Sequence, residues 1–453
     1  MNPKSGSLIR AAVLVALSSG FSTQVSASGF ALIENSASGQ GNAFAGAAAI
    51  AEDASTIWFN PAGMSKLKGS QLVVVGHIIV PSSDFTNNNS VDAFGTPLTG
   101  PDDNGAATAF VGNLYWMTDI NENMKFGLGV TTPFGLKTHY DDNWKGRYHA
   151  VETDLKTINI NPSISFKVNE QLSVGGGINL MLADLTFTSV VDFGSLCYAA
   201  LSPAACDGIG NTPQGADGFA DIGGDNFNDL GWGVNLGLMY DITPATSLGL
   251  AWRSEVKLKL EGDADFTVPA SATFATSAGL FTPSAISGEV SMPQTFSISV
   301  AHDMDKWKLL ADITWTGWSS FDELRIEYDN PDQPDSVTTE NWGDTFRYSI
   351  GADYTLNKTW TVRGGLAFDE TPIPDAEHRT PRIPGNDRTW LSFGGTYNIN
   401  EEFIVDIGYS HLFISDTPIN NTVESSVPTL AATINGTYEA SVDILSAQLR
   451  WNY

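Results

Sequence analysis

Five arginines, Arg253, Arg347, Arg363, Arg388 and Arg450, stand at polar positions of segments that alternate polar and apolar residues. A guanidinium offers a planar fork of donors, so its chemistry is bidentate capture of a carboxylate or phosphate. The partner of each is either a carboxylate of the chain or the anionic group of a ligand. Glu255, Asp353, Asp369, Asp387 and Asp406 are available for the first role, as braces. The other reactive side chains are less organised. The histidines, His77, His139, His149, His302, His378 and His411, lack metal-ligand spacing, and no Gly-x-Ser-x-Gly elbow occurs. Cys197 and Cys206 share one long connection, and their export into an oxidising compartment predicts a disulfide. Asp102-Asp103 and Asp141-Asp142 read as solvated loop charges, with cation binding as the alternative. Neither a cofactor nor a metal is implied, and enzymatic chemistry is not expected.

The elements that must position these groups are strands. Charged residues make up only 16% of the 453-residue chain, against about 25% in a soluble globular protein. Lys+Arg number 23 against 51 Asp+Glu, for a net charge of -28, which leaves no basic face for nucleic acid. Lys4 and Arg10, the apolar run 11–17 and the small-x-small end Val25-Ser26-Ala27 form an export signal over residues 1–27. No run reaches the 18 apolar residues of a spanning helix. Alternation dominates instead. Trp360, Val362, Leu366 and Phe368 share one face, and Thr361, Arg363 and Asp369 the other; Phe346–Tyr354 and Leu445–Tyr453 repeat the pattern. About fourteen such strands fill residues 69–453. Short connections such as 169–170, 304–305 and 400–401 alternate strictly with long ones such as 81–105, 191–228 and 370–386. Short inner turns, long outer loops and an even strand number describe an antiparallel transmembrane β-barrel. The aromatic Tyr453 at the end of the last strand fits recognition by the barrel-assembly machinery.

Residues 28–68 precede the first strand and do not alternate. They hold Glu34, Gly39, Gly41, a helix-prone run at Ala43–Ile50, and Asn60-Pro61-Ala62, where Pro should open a turn. Such a segment could fold into the lumen as a partly helical plug. The stretch Gly29–Met64 with its Asn-Pro-Ala element resembles the hatch of the FadL-type long-chain fatty-acid transporter family, which includes toluene and xylene uptake channels. Trp252–Lys257, Trp315–Ser319, Phe346–Tyr348, Gly365–Pro374 and Ile383–Ser392 extend the likeness along nearly the whole mature chain.

That resemblance implies a monomeric outer-membrane barrel embedded in lipid and lipopolysaccharide. Its cargo would be long-chain fatty acids or other hydrophobic small molecules, captured at the outer loops. They would pass a hatch and leave sideways through an opening at a kinked third strand, here marked by Gly127, Gly129 and Pro133. Lateral release is favourable because an acyl tail prefers the bilayer by roughly 0.8 kcal/mol per CH₂. Arg347 and Arg388 lie in family-like runs and are the first candidates for a substrate carboxylate, with Arg253 the third. The fifth strand reads Ala183-Asp184 where relatives can carry basic residues, so no anchor carries over there and neutral arenes remain possible cargo. A general porin, which needs no hatch, or a surface receptor is the other alternative.

Overall fold

A computed structural model describes residues 29–453; the export signal expected at 1–27 lies outside the described residues. Fourteen antiparallel strands form one closed sheet. They are β1 (Gln71–Asn87), β2 (Ala109–Asn121), β3 (Met124–Thr131 and Gly135–His139), β4 (Glu152–Lys167), β5 (Leu172–Asp192), β6 (Asp217–Asp225 and Gly231–Thr243) and β7 (Thr246–Arg253 and Val256–Thr267). The second half comprises β8 (Ser284–Met292 and Thr295–Met304), β9 (Trp307–Thr316 and Glu323–Tyr328), β10 (Thr345–Thr355), β11 (Trp360–Asp369), β12 (Arg388–Asn398), β13 (Phe403–Ile414 and Thr417–Thr422) and β14 (Thr433–Asn452). Each pairs with its chain neighbour. β14 closes on β1 from Gln71↔Asn452 to Asn87↔Gly436, so no edge is left to hydrogen-bond lipid. Among the described residues no helix is long and apolar enough to cross a membrane.

The period-two pattern sorts the faces as the hydropathy requires. Val362, Leu366, Phe368, Ile350, Leu445 and Leu449 point out, while Arg363, Asp369, Arg347, Ser349, Gln448 and Arg450 point in and are buried. The strands run further outward than the alternation indicates. Asp217–Asp225 and Thr417–Thr422 are strand, yet they fall in stretches that read as loop. Beyond the bilayer the outward face meets water, so the apolar half of the pattern fades although the ladder continues.

Residues 29–70 fill the lumen. Two short helices, Ala37–Gln40 and Thr56–Phe59, and a 3₁₀ turn, Pro61–Lys66, are joined by tight turns. The helix expected at Ala43–Ile50 does not form. Ala43 and Phe44 have positive φ, and the wall takes the backbone groups a helix would use: Arg347 donates to Ala43 O at 2.9 Å and Ala48 N donates to Ser299 Oγ at 3.0 Å. Those tertiary bonds outweigh a propensity difference of well under 1 kcal/mol per residue. The hatch approaches the wall where the wall has no side chain. At Gly394 of β12 a Cβ would stand 2.6 Å from the Cα of Gly41.

Candidate functional site

Asn60 fastens the hatch. It is fully buried in extended conformation, and Pro61 follows as the first residue of the 3₁₀ turn. Its Nδ2 donates to Ala48 O at 2.7 Å and to Leu238 O of β6 at 3.0 Å, while Oδ1 accepts from Ala62 N at 3.1 Å. One amide thus ties two turns of the hatch to the wall. A Cβ at Gly39 would run into Phe44 and Ser36 at 2.7 Å, which accounts for glycine there.

The five arginines divide into two groups. Arg363 and Arg450 belong to a brace beneath the hatch. Arg363 meets Glu52 at 2.8 Å and donates to Ser38 O at 2.9 Å; Arg450 meets Asp406 at 2.9 Å and donates to Glu52 O at 3.0 Å; Lys308 meets Glu52 at 3.2 Å. Of the candidate partners Asp369 and Asp406 are in ion pairs. Asp353 accepts from Asn42 at 3.2 Å, Asp387 from Thr371 N at 2.8 Å and Glu255 from Ser291 at 2.9 Å.

Arg253, Arg347 and Arg388 come from β7, β10 and β12, yet they line one cavity of about 150 Å³ between hatch and wall. Leu32, Ile33, Phe44, Phe59, Pro133, Phe134 and Trp390 supply its apolar surface, and Glu34, Asp312 and Asp369 its carboxylates. Arg388 is already paired, Nη2 to Asp369 Oδ2 at 2.5 Å. Arg347 donates once, to Ala43 O; its Nε and Nη1 have no partner among the described residues, and its Cζ lies 5.1 Å from the Trp390 ring. Arg253 donates to Trp58 O at 2.8 Å and to Asn179 Oδ1, and its Cζ lies 3.7 Å from the Trp58 ring. No carboxylate of the described residues lies within 4 Å of Arg253 or of Arg347; Asp369, Asp312 and Glu34 act on Arg347 from further away, and none acts on Arg253. The sequence places Arg347 and Arg388 ahead of Arg253; of the three, the structure pairs only Arg388 with a carboxylate. Trp58, Asn179 and Glu52 went unnoticed in the sequence, because their role depends on strands distant in the chain.

The third strand is broken, over a shorter stretch than its glycines suggest. Gly127 and Gly129 lie in unbroken ladders with β2 and β4, so they do not kink the strand. A Cβ at Gly127 would stand 2.5 Å from Met64 Sδ and 2.6 Å from Ile57 Cδ1, so glycine there makes room for the hatch. The break falls at 132–134, around Pro133. The β2–β3 ladder stops at Leu114↔Val130, and a lone bridge at Ala106↔Thr138 follows. Hatch residues fill this gap from inside: Leu32 N donates to Pro133 O at 2.8 Å and Gly135 N to Phe30 O at 2.9 Å. Asn113 spans it, donating to Glu34 O at 2.9 Å and accepting from Thr132 N at 3.2 Å.

A second cavity, of about 190 Å³, opens among the outer loops. Tyr148, Val190, Phe266, Phe281 and Leu430 form its apolar wall; Asp92, Asp192, Asp335 and Glu424 are its charged residues, with no Lys or Arg. Beside it Cys197 and Cys206 are disulfide-bonded, joining the helices Phe193–Ala200 and Pro203–Gly208. Asp102 pairs with Lys145 at 3.1 Å and Asp103 accepts from Asp141 N at 2.7 Å, so these loop carboxylates have local partners. No group of three or more metal-ligand side chains occurs among the described residues.

Residues 18–453 match the family described as outer membrane protein transport protein (OMPP1/FadL/TodX). The chain is 32% identical over 423 residues to the long-chain fatty acid transport protein of Escherichia coli O6:H1, covering 88% of this chain and 90% of the relative. Among solved structures it is similar to a Pseudomonas aeruginosa FadL homologue, with a TM-score of 0.84, 24% identity and coverage of 94% and 99%. It also resembles the Pseudomonas putida toluene transporter TodX, with a TM-score of 0.64, 16% identity and coverage of 95% and 100%.

Proposed function

The chain belongs to the OMPP1/FadL/TodX family of outer-membrane transport proteins, and within that family we propose that it imports long-chain fatty acids, held on Arg253 and released sideways past the hatch. At the coarser level it is an outer-membrane channel for uptake of hydrophobic small molecules. The observation that carries the finer reading is Arg253, a buried cation without a carboxylate partner in a cavity that also has a large apolar surface. A buried guanidinium gains most from a ligand that brings the missing charge. Arg347, with two unpartnered N–H groups, is the second anchor; Arg388 positions Asp369 and contributes less.

Release follows from the break in β3. The bonds from Phe30 and Leu32 to the strand at Pro133 and Gly135 seal an opening that faces lipid. An acyl chain passing there exchanges one apolar surface for another and never meets periplasmic water. The hatch must shift for this to happen, which is the role given to Asn60, Pro61 and Ala62, with Glu34, Gly39 and Gly41 shaping its path.

A second reading, uptake of neutral aromatic compounds, is favoured by the outer cavity, which presents carboxylates and no cation to an arriving ligand. Uptake of labelled oleate by cells lacking their own long-chain fatty-acid transporter separates the two. Uptake that depends on this protein, and falls when Asn60 and Pro61 are both replaced by Ala, supports fatty-acid import. A folded barrel in the outer membrane without oleate uptake transfers the assignment to neutral arenes.

A further inference from the structure

The connection from β11 to β12, residues 370–387, crosses the barrel mouth as a strap. Ile373 and Ile383 are buried in the apolar cluster that holds Phe30, Trp318 and Trp342. Pro372, Pro374, Pro381 and Pro384 stiffen the strap and remove backbone donors, so its hold on the opposite wall depends on few bonds. Tyr140 Oη donates to Pro381 O at 2.9 Å. The charged tie is Arg382. Its Nη1 donates to Glu152 O at 3.1 Å and Thr153 Oγ1 at 3.0 Å, and its Nη2 to Thr188 O at 3.4 Å, the rims of β4 and β5. Its Cζ lies 4.8 Å from the Phe187 ring.

All of those partners are neutral. Among the described residues no carboxylate lies within 4 Å of Arg382. The carboxyl that acts on it from further away, Glu340, is itself buried and accepts from Trp342 Nε1 at 2.8 Å. Burial pushes Glu340 up to about 8, so at neutral pH it is mostly protonated and offers little counter-charge. Burial also lowers Arg382, to about 10, which still leaves it cationic. Phe187, beneath the guanidinium, lines a small cavity with Leu185, Leu260 and Val290; its one cation, Arg325, is paired with Glu323 and Asp335, and Ile222 is common to this cavity and the outer one. Apolar surface therefore leads from the cation-free outer cavity to the ring on which Arg382 lies.

We propose that Arg382 is the carboxylate sensor of the outer mouth: an acyl carboxylate reaching Phe187 draws the guanidinium from the β4–β5 rim and so frees the strap. The exchange is favourable because bonds to neutral carbonyl and hydroxyl oxygens are replaced by bidentate bonds to an acceptor of opposite charge. It rests on the reading that the cargo carries a carboxylate, and it separates head-group recognition at the mouth from the deeper anchor at Arg253.

Hydrogen exchange of amides 373–386 in the purified full-length protein in detergent tests it, with oleate and with oleyl alcohol, which has the same tail and no charge. Oleate should speed exchange of the strap by about tenfold, the equivalent of one charged hydrogen bond lost, and oleyl alcohol should not. Arg382→Gln should exchange fast without ligand and ignore oleate, whereas Arg382→Lys should keep part of the response. Heat-modifiable migration establishes that each variant barrel is folded. Unchanged strap exchange with oleate, an equal response to both ligands, or a wild-type response in Arg382→Gln would each overturn the proposal. A strap that responds to oleate in a protein that imports none refutes the transport reading and leaves the sensor standing. Intact oleate import with an unresponsive strap does the opposite.

Discussion

Replacing Asn60 by Ala should loosen the hatch and leave the barrel intact. The side chain is fully buried and makes three bonds of 3.1 Å or less, to Ala48 O, Leu238 O and Ala62 N. Each is worth about 1 kcal/mol net, and the vacated carbonyls are buried, so about 2–4 kcal/mol of local stability should be lost. At tenfold per 1.4 kcal/mol this raises the hatch-opening equilibrium by about 30- to 700-fold. Global unfolding would not register it, because the closed sheet of β1–β14 does not depend on Asn60. Hydrogen exchange resolved along the chain does: amides of 43–64 should exchange faster by that factor, with strand amides unchanged. Asn60→Asp, nearly the same in volume, should be at least as disruptive, because it turns an acceptor toward two carbonyls. A hatch whose exchange rises less than about threefold, below any of these energies, would refute the assignment of Asn60 as the fastener. Strand amides rising in parallel would refute the separation of hatch from barrel.

Arg253→Gln should weaken oleate binding by about tenfold or more, the worth of a charged hydrogen bond, while oleyl alcohol binds as before; titration of the purified protein measures both. Gly127→Val should displace Ile57 and Met64, making the hatch exchange faster while β3 keeps its pairing; an unchanged hatch would restore the glycine to a kinking role. Cys197→Ser with Cys206→Ser should cost about 2–3 kcal/mol in the outer helical loop and speed proteolytic nicking within 193–216, without affecting the barrel. The loop around Glu340 should lose stability as pH rises from 4.5 to about 8, because the folded state holds that proton more tightly than the unfolded one. Exchange of amides 336–344 across that range measures it, and Glu340→Gln should flatten the profile.

The barrel was legible because its solvent imposes a rule on every spanning residue. Lipid outside and hatch inside force the two-residue period, so strand number, order and facing follow from the chain. The outer extensions of β6 and β13 were not legible, since above the bilayer both faces accept polar side chains and the period vanishes. The hatch shows the opposite failure. Asn60-Pro61 makes its turn from local stereochemistry. Ala43–Ile50 reads as helix by propensity, but Arg347 and Ser299, far along the chain, take up its backbone groups.

By itself, then, the sequence determined an outer-membrane barrel with a luminal plug, five inward arginines and a family likeness, all consequences of local pattern. Only the tertiary structure decided which arginines are paired and which, Arg253 and Arg347, are not. A guanidinium's availability depends on what faces it from other strands: Asp369 against Arg388, Glu52 and Asp406 against Arg363 and Arg450, and the neutral Trp58 and Asn179 against Arg253. It likewise decided that Arg382, unremarkable in a proline-rich loop, ends buried against neutral oxygens across the mouth, because that contact joins residues more than 190 positions apart.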